Sequence, residues 1–595
     1  MALDVRELRS QPLPTDLEAE LSRYEATVAD YLAGTLDEDV FRVYRLNNGV
    51  YGQRQGGHNQ MVRVKIPYGK VTPEQLEVLA HISETYSRGW GHLTTRQNVQ
   101  FHFVQLEDSA EVLRLLAACG LTSREACGDT VRNVMGCHLA GACPYEVVDI
   151  SAWADATAQY LLRHPYAQRL PRKFKINFSG CATDCGQAMF NDVGVVAVNR
   201  TRDDGTLEPG FKVVFAGGLG ATPHPAQALE EFTAREDLLP TIEALLRTFD
   251  HYGNRDNKLR ARMKWLVDTM GIDELRERIL KERKFLRGSV SWPGGIPGLV
   301  TERGDAPAGT GTGPIVGAPG ATPIKLLKTD PFERWEEANV VRGVANGTVS
   351  AYAYCDLGDI TTSQFLALAA IQRDFNLDIR ITPRQNLAMR GLANGDLRAL
   401  FDRLSEIGMA KPGAELARDV VSCPGADTCN LAVTQSRGLA TAIGSALDDA
   451  GLAEVGGVRV NISGCTNSCG QHHISDIGFF GLERRAHGQA APGYQMLLGG
   501  HLGNIEVEFG DKATKLPARN APEAVVRVVQ QFANERNAGE NFSGWLERAG
   551  GAQKVGTALK ELDVFPDPSE RPEFYVDFGE TGPYVSEVGD SECAT

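Results

Sequence analysis

Two segments of the chain begin in the same way and continue with apolar residues at helical spacing. Thr72 and Gln75 form a capping box before one run, and Thr361 and Gln364 form one before the other. Short apolar stretches of strand character flank both runs. The pattern therefore predicts a strand, helix and strand unit in each half of the chain.

Longer repeats support this duplication. Residues 177–194, NFSGCATDCGQAMFNDVG, recur as NISGCTNSCGQHHISDIG at 461–478, with nine of eighteen positions identical. TTRQNVQ at 94–100 recurs as TPRQNLA at 382–388, in the same order. Between the halves, residues 304–323 are rich in Gly and Pro and lack periodicity, which predicts a linker. We predict a mixed α/β (α+β) fold built by tandem duplication about a pseudo-two-fold axis.

Composition excludes several classes of protein. A chain of 595 residues is long enough for three or four compact units, and 42% hydrophobic with 23% charged residues is ordinary for a soluble protein. The net charge of −15 and the lack of a basic run argue against a nucleic-acid partner. No apolar run is long enough for a membrane span, and the N-terminal sequence has no signal or transit character. We expect a cytoplasmic protein with no membrane partner.

The acidic residues concentrate at the C-terminus. Residues 561–595 hold ten Asp or Glu against Arg571 alone. A strongly charged terminal segment is typically solvated. We expect this acidic tail to be a solvated and mostly flexible end.

Eight of the twelve cysteines form a repeated pattern of C-x5-C followed by C-x3-C. A five-residue gap is wide for one tetrahedral zinc, whereas an iron–sulfur cluster accepts thiolates from more widely separated loops. Spacing favours a [4Fe–4S] cluster and leaves zinc and buried free thiols open as alternatives. The first-half set is Cys137, Cys143, Cys181 and Cys185, and the second-half set is Cys423, Cys429, Cys465 and Cys469.

Several separated motifs occur together with the second-half set. They are TTRQN at 94–98, RNV at 132–134 and LPRKFK at 170–175. Together they resemble the assimilatory sulfite and nitrite reductases, hemoproteins that carry sirohaem and a [4Fe–4S] cluster. The resemblance covers roughly residues 40–545. The complete first-half set departs from the family, in which many members keep only a degenerate remnant.

The resemblance implies the family's duplicated fold with ferredoxin-like halves. The predicted units are a ferredoxin-like half-domain with an N-terminal extension (1–120), a first sirohaem/[4Fe–4S]-type domain (121–303), a linker (304–325), a second ferredoxin-like half-domain (326–412), a second sirohaem/[4Fe–4S]-type domain that carries the cluster (413–560) and the acidic tail (561–595).

The resemblance also implies the site residues. The second-half set would hold the cluster, and Cys469 would bridge it to the sirohaem iron. Arg54, Arg63, Asn98, Lys264 and Asn467 are weaker candidates for cofactor binding, and His58, His472 and His473 are not expected to be haem ligands. The substrate anion would be held by a cation cage of Arg96, Arg132, Lys173 and Lys175.

Residue chemistry supports the cation cage independently. Sulfite and nitrite are small oxyanions, and removal of their oxygens as water needs both positive charge and protons. Arg supplies a fixed charge and a fork of N–H donors. Crowding by other cations lowers the pKa of Lys towards neutral pH, so that its ammonium group can release a proton. Lys173 and Lys175 lie two apart, so they point to one side of a strand.

Lys175 bears on the choice of oxyanion. In sulfite-reducing members the LPRK-aromatic segment continues with a second lysine, whereas plant-type nitrite reductases tend to have asparagine there. Sulfite carries more negative charge than nitrite near neutral pH, so the added cation favours sulfite. We predict reduction of sulfite, with nitrite as the alternative.

The repeat defines a mirror site in the second half. Arg384, Arg418 and Arg459 occupy the positions of Arg96, Arg132 and Lys175, and Gly457 replaces Lys173. The mirror site would combine these mirror cations with the cysteines of the first-half set. A second [4Fe–4S] cluster, with or without a second tetrapyrrole, is one hypothesis for the mirror site, and a relic of packed thiols is the other.

The electron donor is expected to be a separate protein. The chain shows neither a G-x-G-x-x-G motif in a dinucleotide-binding context nor a P-loop. We expect a ferredoxin or a separate flavoprotein subunit, for which the basic segments 254–264 and 281–288 could form a docking surface or be ordinary helix charge. A precorrin-3B synthase-like monooxygenase and a non-enzymatic electron-transfer subunit are further alternatives.

Overall fold

The structure is a computed structural model that describes residues 3–299, 328–342, 347–414, 416–586 and 588–589. The predicted linker, 304–325, lies outside these residues. The helices are α1 Val5–Ser10, α2 Thr15–Leu32, α3 Glu38–Asn47, α4 Pro73–Tyr86, α5 Ser109–Ala118, α6 Ser151–Leu161, α7 Arg235–Tyr252, α8 Lys264–Met270, α9 Ile272–Leu286, α10 Pro331–Asn339, α11 Thr362–Asp374, α12 Leu397–Glu406, α13 Ser436–Asp449, α14 Ala521–Glu535, α15 Phe542–Ala549 and α16 Gly551–Thr557.

The strands alternate with these helices along both halves. They are β1 Val50–Gly52, β2 Asn59–Val64, β3 Lys70–Val71, β4 Trp90–Leu93, β5 Val99–Gln105, β6 Met135–Gly136, β7 Ile176–Ser179, β8 Val193–Thr201, β9 Leu207–Phe215, β10 Gln227–Thr233, β11 Val340–Arg342, β12 Thr348–Ala353, β13 Asp359–Thr361, β14 Asp378–Ile381, β15 Leu387–Ala393, β16 Val421–Ser422, β17 Val460–Ser463, β18 Ile477–Ala486, β19 Gln489–Leu498, β20 His501–Gly503, β21 Glu506–Glu508 and β22 Asp511–Pro517.

Two antiparallel sheets exchange an edge strand between the halves. The first has the order β1-β2-β5-β4-β13, and the second has the order β11-β12-β15-β14-β3. Strand β13 of the second half pairs with β4 of the first, and β3 of the first half pairs with β14 of the second. This reciprocal exchange is the arrangement expected of two halves related by a pseudo-two-fold axis.

Helices α4 and α11 begin as the sequence predicts. Both capping boxes, Thr72 with Gln75 and Thr361 with Gln364, are present. Apolar residues of the two helices and of both antiparallel sheets, such as Leu79, form one continuous buried core. The ferredoxin-like halves therefore fold around a common core and not around two separate ones.

Each half also contains a mixed sheet with equivalent strand order. These are β6-β7-β8-β9-β10 and β16-β17-β18-β19-β22, and in each the first three strands are parallel. The repeated cysteine segment begins on β7 in one half and on β17 in the other, and its loop leads to the next parallel strand. The predicted duplication of an α/β unit is confirmed.

The acidic tail is not a flexible end over its described part, so that expectation is wrong for residues 561–586. Phe574, Tyr575 and Tyr584 are buried, and a 3-10 turn covers Pro572–Tyr575. The aromatic residues interleaved among the acidic ones supply apolar surface that packs the segment against the second half. We call residues 577–586 the C-terminal strap.

Among the described helices, none has the combined length and apolarity required to cross a bilayer.

Candidate active site

The thiols of the second-half set lie within electrostatic reach of one another. Cys423, Cys429 and Cys465 all interact with Cys469, which is exposed, whereas the other three are partly exposed. Burial raises the pKa of Cys429 to about 12 and also raises the pKa values of Cys423 and Cys465. Such thiols need a bound cation to become thiolates. Four soft donors are the ligand type of an iron–sulfur cluster, although among the described residues no group of three or more Cys, His, Asp or Glu side chains is arranged to hold a metal ion.

The loop that carries Cys465 and Cys469 is fixed by side chains of β17. Asn461 donates to the Gly470 carbonyl oxygen at 2.8 Å, and the Gly470 N–H donates to Ser463 Oγ at 3.1 Å. The Gly464 N–H donates to Cys423 Sγ at 3.3 Å, and such a donor stabilises a thiolate. The β-strand ends therefore set the positions of the sulfur atoms.

Lys173 and Lys175 of the cation cage lie on a stretch of extended backbone. Val131 and Phe174 form a parallel bridge, and the Arg132 N–H donates to the Phe174 carbonyl oxygen at 2.8 Å. Phe174 is fully buried in the core of the first mixed sheet. Lys173 and Lys175 flank it and interact electrostatically with each other.

The arginines of the cation cage are held by neutral oxygens. Arg96 lies in the turn between β4 and β5 and donates to the Asn133 carbonyl oxygen at 2.7 Å and to Asn177 Oδ1 at 3.3 Å. Arg132 donates to the Gly128 carbonyl oxygen at 2.7 Å. Nε of both arginines is buried without a hydrogen-bond partner. Their positive charge is therefore not cancelled by these contacts.

Carboxylates are scarce around the cage. Asp192 is the nearby acidic group, and Arg262 binds both of its oxygens, at 3.1 and 2.8 Å. Among the described residues, no carboxylate forms an ion pair with Lys173 or Lys175 at the 4.0 Å limit. Arg262 is thus a further member of the charged cluster. It falls in the basic segment 254–264, of which only Lys264 is predicted from the sequence to lie near the cofactor.

Crowding of these cations lowers their pKa values. Burial, followed by repulsion from neighbouring arginines, lowers the pKa of Lys173 to about 8, and burial and Arg96 lower the pKa of Lys175 well below its usual value. Burial and Arg132 likewise lower the pKa of Arg96 to about 9. Uncompensated buried charge is costly, so the cage favours an anionic ligand. Its lysines are also positioned to give up protons.

The two halves meet at Cys469. Lys173 of the first half interacts electrostatically with Cys469 of the second. Thr95 Oγ1, in the TTRQN turn, donates to the Cys469 carbonyl oxygen at 2.9 Å. The structure thus brings the cation cage of one half to the cysteines of the other.

Three of the weaker cofactor candidates lie near the cage. Arg63 interacts electrostatically with Arg96, and Lys264 with Lys173. Asn98 follows Arg96 in the same turn, and its Oδ1 is buried without a hydrogen-bond partner. Sirohaem carries many carboxylates, so the cations around the cage fit such a group, although Lys264 Nζ already donates to the Leu219 carbonyl oxygen at 3.1 Å.

The other two weaker candidates lie on the cysteine loops. Arg54 donates through its backbone N–H to the Thr428 carbonyl oxygen at 3.0 Å and through its guanidinium to that of Ala432. It is therefore tied to the segment around Cys429. Asn467 is exposed on the loop between Cys465 and Cys469.

The mirror cations differ from the cage in their partners. Each of them forms an ion pair with an aspartate: Arg384 with Asp419 at 3.6 Å, Arg418 with Asp448 at 3.0 Å and Arg459 with Asp476 at 3.3 Å. The positive charge of the mirror site is therefore neutralised within the protein.

The basic segments considered for donor docking are also extensively paired. Lys258 binds Asp129 at 2.7 Å, and Arg255 binds Asp250 at 2.6 Å. Arg283 and Arg287 pair with Glu230 and Asp237. Arg260, Lys281 and Lys284 are exposed and form no ion pair with a described residue, so both interpretations of these segments stay open.

The three histidines that are not expected to be haem ligands lie in different surroundings. His58 pairs with Glu107, and both side chains are exposed. His473 contacts the Gly220 carbonyl oxygen at 3.0 Å, and His472 is fully buried beside it.

Comparisons with known proteins cover most of the chain. The family described as the nitrite and sulphite reductase 4Fe-4S domain matches residues 127–285 and 413–561. The nitrite/sulfite reductase ferredoxin-like half domain matches residues 51–119 and 345–407.

Two curated relatives are similar to the chain over nearly their whole length. The assimilatory ferredoxin-dependent nitrite reductase of Haloferax mediterranei is 30% identical over 523 residues, 84% of this chain and 84% of that protein. The sulfite reductase (ferredoxin) of Mycobacterium tuberculosis is 29% identical over 528 residues, 84% of this chain and 87% of that protein. The solved structure of the Mycobacterium tuberculosis NirA protein matches with a TM-score of 0.72 at 26% identity and covers 91% of this chain and 98% of that one.

Proposed function

Because the chain belongs to the nitrite and sulphite reductase family, we propose that it reduces sulfite to sulfide. The reaction consumes six electrons, and the three oxygens of sulfite leave as water with protons from the protein and solvent. Nitrite, which takes six electrons to ammonia, is the second candidate. The similarity to the nitrite reductase of Haloferax mediterranei favours it.

The observation that carries the choice of sulfite is that, within the described part of the chain, neither Lys173 nor Lys175 forms an ion pair with a carboxylate at the 4.0 Å limit. Lys173 and Lys175 share one face of an extended segment, and Asp192 is occupied by Arg262. Sulfite carries more negative charge than nitrite near neutral pH, so its attraction to this cage is stronger. The site therefore favours the more highly charged anion.

The residues of the chain hold the anion and supply protons. Arg96 and Arg132 offer guanidinium donors to its oxygens. Lys173 and Lys175, with lowered pKa values, hold protons at Nζ that can pass to the leaving oxygens. Sirohaem, when bound, supplies the iron that takes the anion, and a [4Fe–4S] cluster supplies electrons to it. The second-half set would hold the cluster.

The electron donor in this proposal is a separate protein. Both relatives named above are ferredoxin enzymes by name, which favours a ferredoxin over a separate flavoprotein subunit. A cytoplasmic location suits such a donor.

The test is turnover of the anaerobically purified protein with a reduced viologen dye. We expect a higher kcat/KM for sulfite than for nitrite. Lys175→Asn removes one cage charge and should lower kcat/KM for sulfite about 100-fold, with a smaller loss for nitrite. Lys515→Asn, at an exposed position of β22, is the matched control and should change neither value.

Each outcome has a distinct meaning. A higher kcat/KM of the wild type for nitrite than for sulfite would contradict the assignment of sulfite. So would an equal loss of kcat/KM for both anions in Lys175→Asn. No turnover with either anion, in protein shown by its absorption to contain sirohaem, would favour the monooxygenase or electron-transfer alternatives.

A further inference from the structure

The cysteine loop of the first half is held by the same bonds as that of the second. Asn177 donates to the Gly186 carbonyl oxygen at 2.7 Å, and the Gly186 N–H donates to Ser179 Oγ at 3.1 Å. The equivalent bonds in the second half measure 2.8 and 3.1 Å. The left-handed residues also match, with φ of 58° and 61° at Asp184 and Gln187 and of 58° and 61° at their counterparts. A loop that lost its ligand would be free to lose this geometry.

The thiols of the first-half set interact in two pairs. Cys143 contacts Cys181, and Cys137 contacts Cys185 through their side chains. Cys185 also lies within electrostatic reach of both members of the other pair. Cys137, Cys143 and Cys181 are at most 4% exposed. Three buried thiols and the partly exposed Cys185 form a soft-donor set.

We propose that the first-half set holds a second [4Fe–4S] cluster. The duplicated loop scaffold is the observation that favours a cluster over a single metal ion, because this scaffold has the bonding of the one that carries the second-half set. The proposal does not depend on which oxyanion the enzyme reduces.

The mirror site takes no anion in this proposal. Its cations are neutralised by aspartates, and Gly457 provides no side chain where the cage has Lys173. The second cluster would therefore lack a substrate of its own.

The two cysteine loops are in direct contact. Gln187 Nε2 donates to Gln471 Oε1 at 2.9 Å, and Gln471 Nε2 lies 2.7 Å from Gln187 Oε1. Each glutamine follows the last cysteine of its set, Cys185 or Cys469, by two residues. The hydrogen-bonded pair thus joins the first-half set to Cys469 through a short, continuous path. A cluster in the first half would lie close to the active site and not on a remote surface.

The test is a count of acid-labile sulfide in the full-length protein, purified anaerobically and treated with ferrous iron and sulfide. Two clusters give about eight sulfides per chain, because each holds four, and sirohaem adds iron but no sulfide. A count of about four would overturn the proposal. A zinc content near one per chain, with about four sulfides, would assign a mononuclear ion and would overturn it as well.

Variants locate the additional cluster. The double substitution Cys143→Ser with Cys181→Ser should halve the sulfide count and leave the sirohaem absorption in place. Cys119→Ser, which lies outside both sets, should keep about eight sulfides. A double variant that folds and still holds about eight would refute the assignment to these thiols. If it does not fold, the wild-type count still decides.

Turnover measured on the same samples separates this proposal from the proposed function. About eight sulfides without reduction of sulfite or nitrite would leave the second cluster standing and reject the function. Turnover with about four sulfides would support the proposed function and reject the second cluster.

Discussion

Asp192 and Asp476 occupy equivalent positions in the repeat, yet they neutralise different cations. Asp476 pairs with Arg459 of its own half, whereas Asp192 pairs with Arg262, which comes from a later segment. Lys175, the counterpart of Arg459, therefore forms no ion pair with Asp192 at the 4.0 Å limit, although Asp192 still attracts its charge. Arg262, together with the Asp419 and Asp448 partners of the mirror cations and the glycine at 457, distinguishes the cation cage from the neutralised mirror site.

A matched pair of substitutions tests this difference at the residue scale. Arg96→Gln removes a cation that is repelled by Arg132, so kcat/KM for sulfite should fall about 100-fold without loss of stability. Arg384→Gln leaves Asp419 buried without that partner, so it should cost about 3 kcal/mol in the free energy of unfolding while kcat/KM is retained. Viologen-linked kinetics and urea unfolding of both variants give the comparison. Equal effects of the two substitutions on kcat/KM would contradict the distinction between the sites.

The C-terminal strap is the element that sequence reasoning misjudged. Asp577 accepts a hydrogen bond from the Gln435 N–H at 2.9 Å, at the start of α13, and Tyr584 donates to the Val433 carbonyl oxygen at 3.0 Å. Both contacts lie on the segment that follows Cys429. The strap therefore fastens the end of the chain to a loop of the second-half set.

The strap gives a prediction on the pH dependence of stability. Burial raises the pKa of Asp577 from 3.8 to about 6, so the folded chain binds this proton more tightly than the unfolded chain does. The contribution to the free energy of unfolding is therefore present below about pH 4 and is lost as pH rises through about 6. Asp577→Asn keeps an acceptor but does not titrate. The stability of the wild type relative to this variant should fall by about 3 kcal/mol between pH 4 and pH 7.

Urea unfolding of both proteins across this interval measures the change. The comparison between the two proteins cancels the other titrating groups. A constant difference between the wild type and the variant would show that Asp577 does not titrate in this range.

At the scale of the whole molecule, the exchanged strands β3 and β13 bind the halves together. Each completes the antiparallel sheet of the other half, and the two sheets share one core. A protease site inserted within residues 310–315 allows the chain to be cut between its two halves. We expect the halves to stay associated after this cut. Size-exclusion chromatography should give one species in buffer and two fragments in denaturant, and separation in buffer would contradict the shared core. Uncut protein with the same insertion is the control.

The sequence by itself determined the duplicated α/β fold, because repeated motifs must form repeated local structure. It predicted the starts of α4 and α11 through their capping boxes, and the common side of Lys173 and Lys175 through the period of a strand. It also predicted which cysteines belong together, since their spacing recurs. Periodicity, capping and spacing depend on neighbours along the chain, which a sequence displays directly.

Only the tertiary structure decided which charges are cancelled and what the tail covers. The Asp192 to Arg262 pair and the Gln187 to Gln471 pair join residues that are distant along the chain. The acidic tail packs because its aromatic residues find apolar partners in the second half, although its composition indicates solvation. Ion pairing and burial depend on distances in space, and those distances exist only once the two halves have folded together.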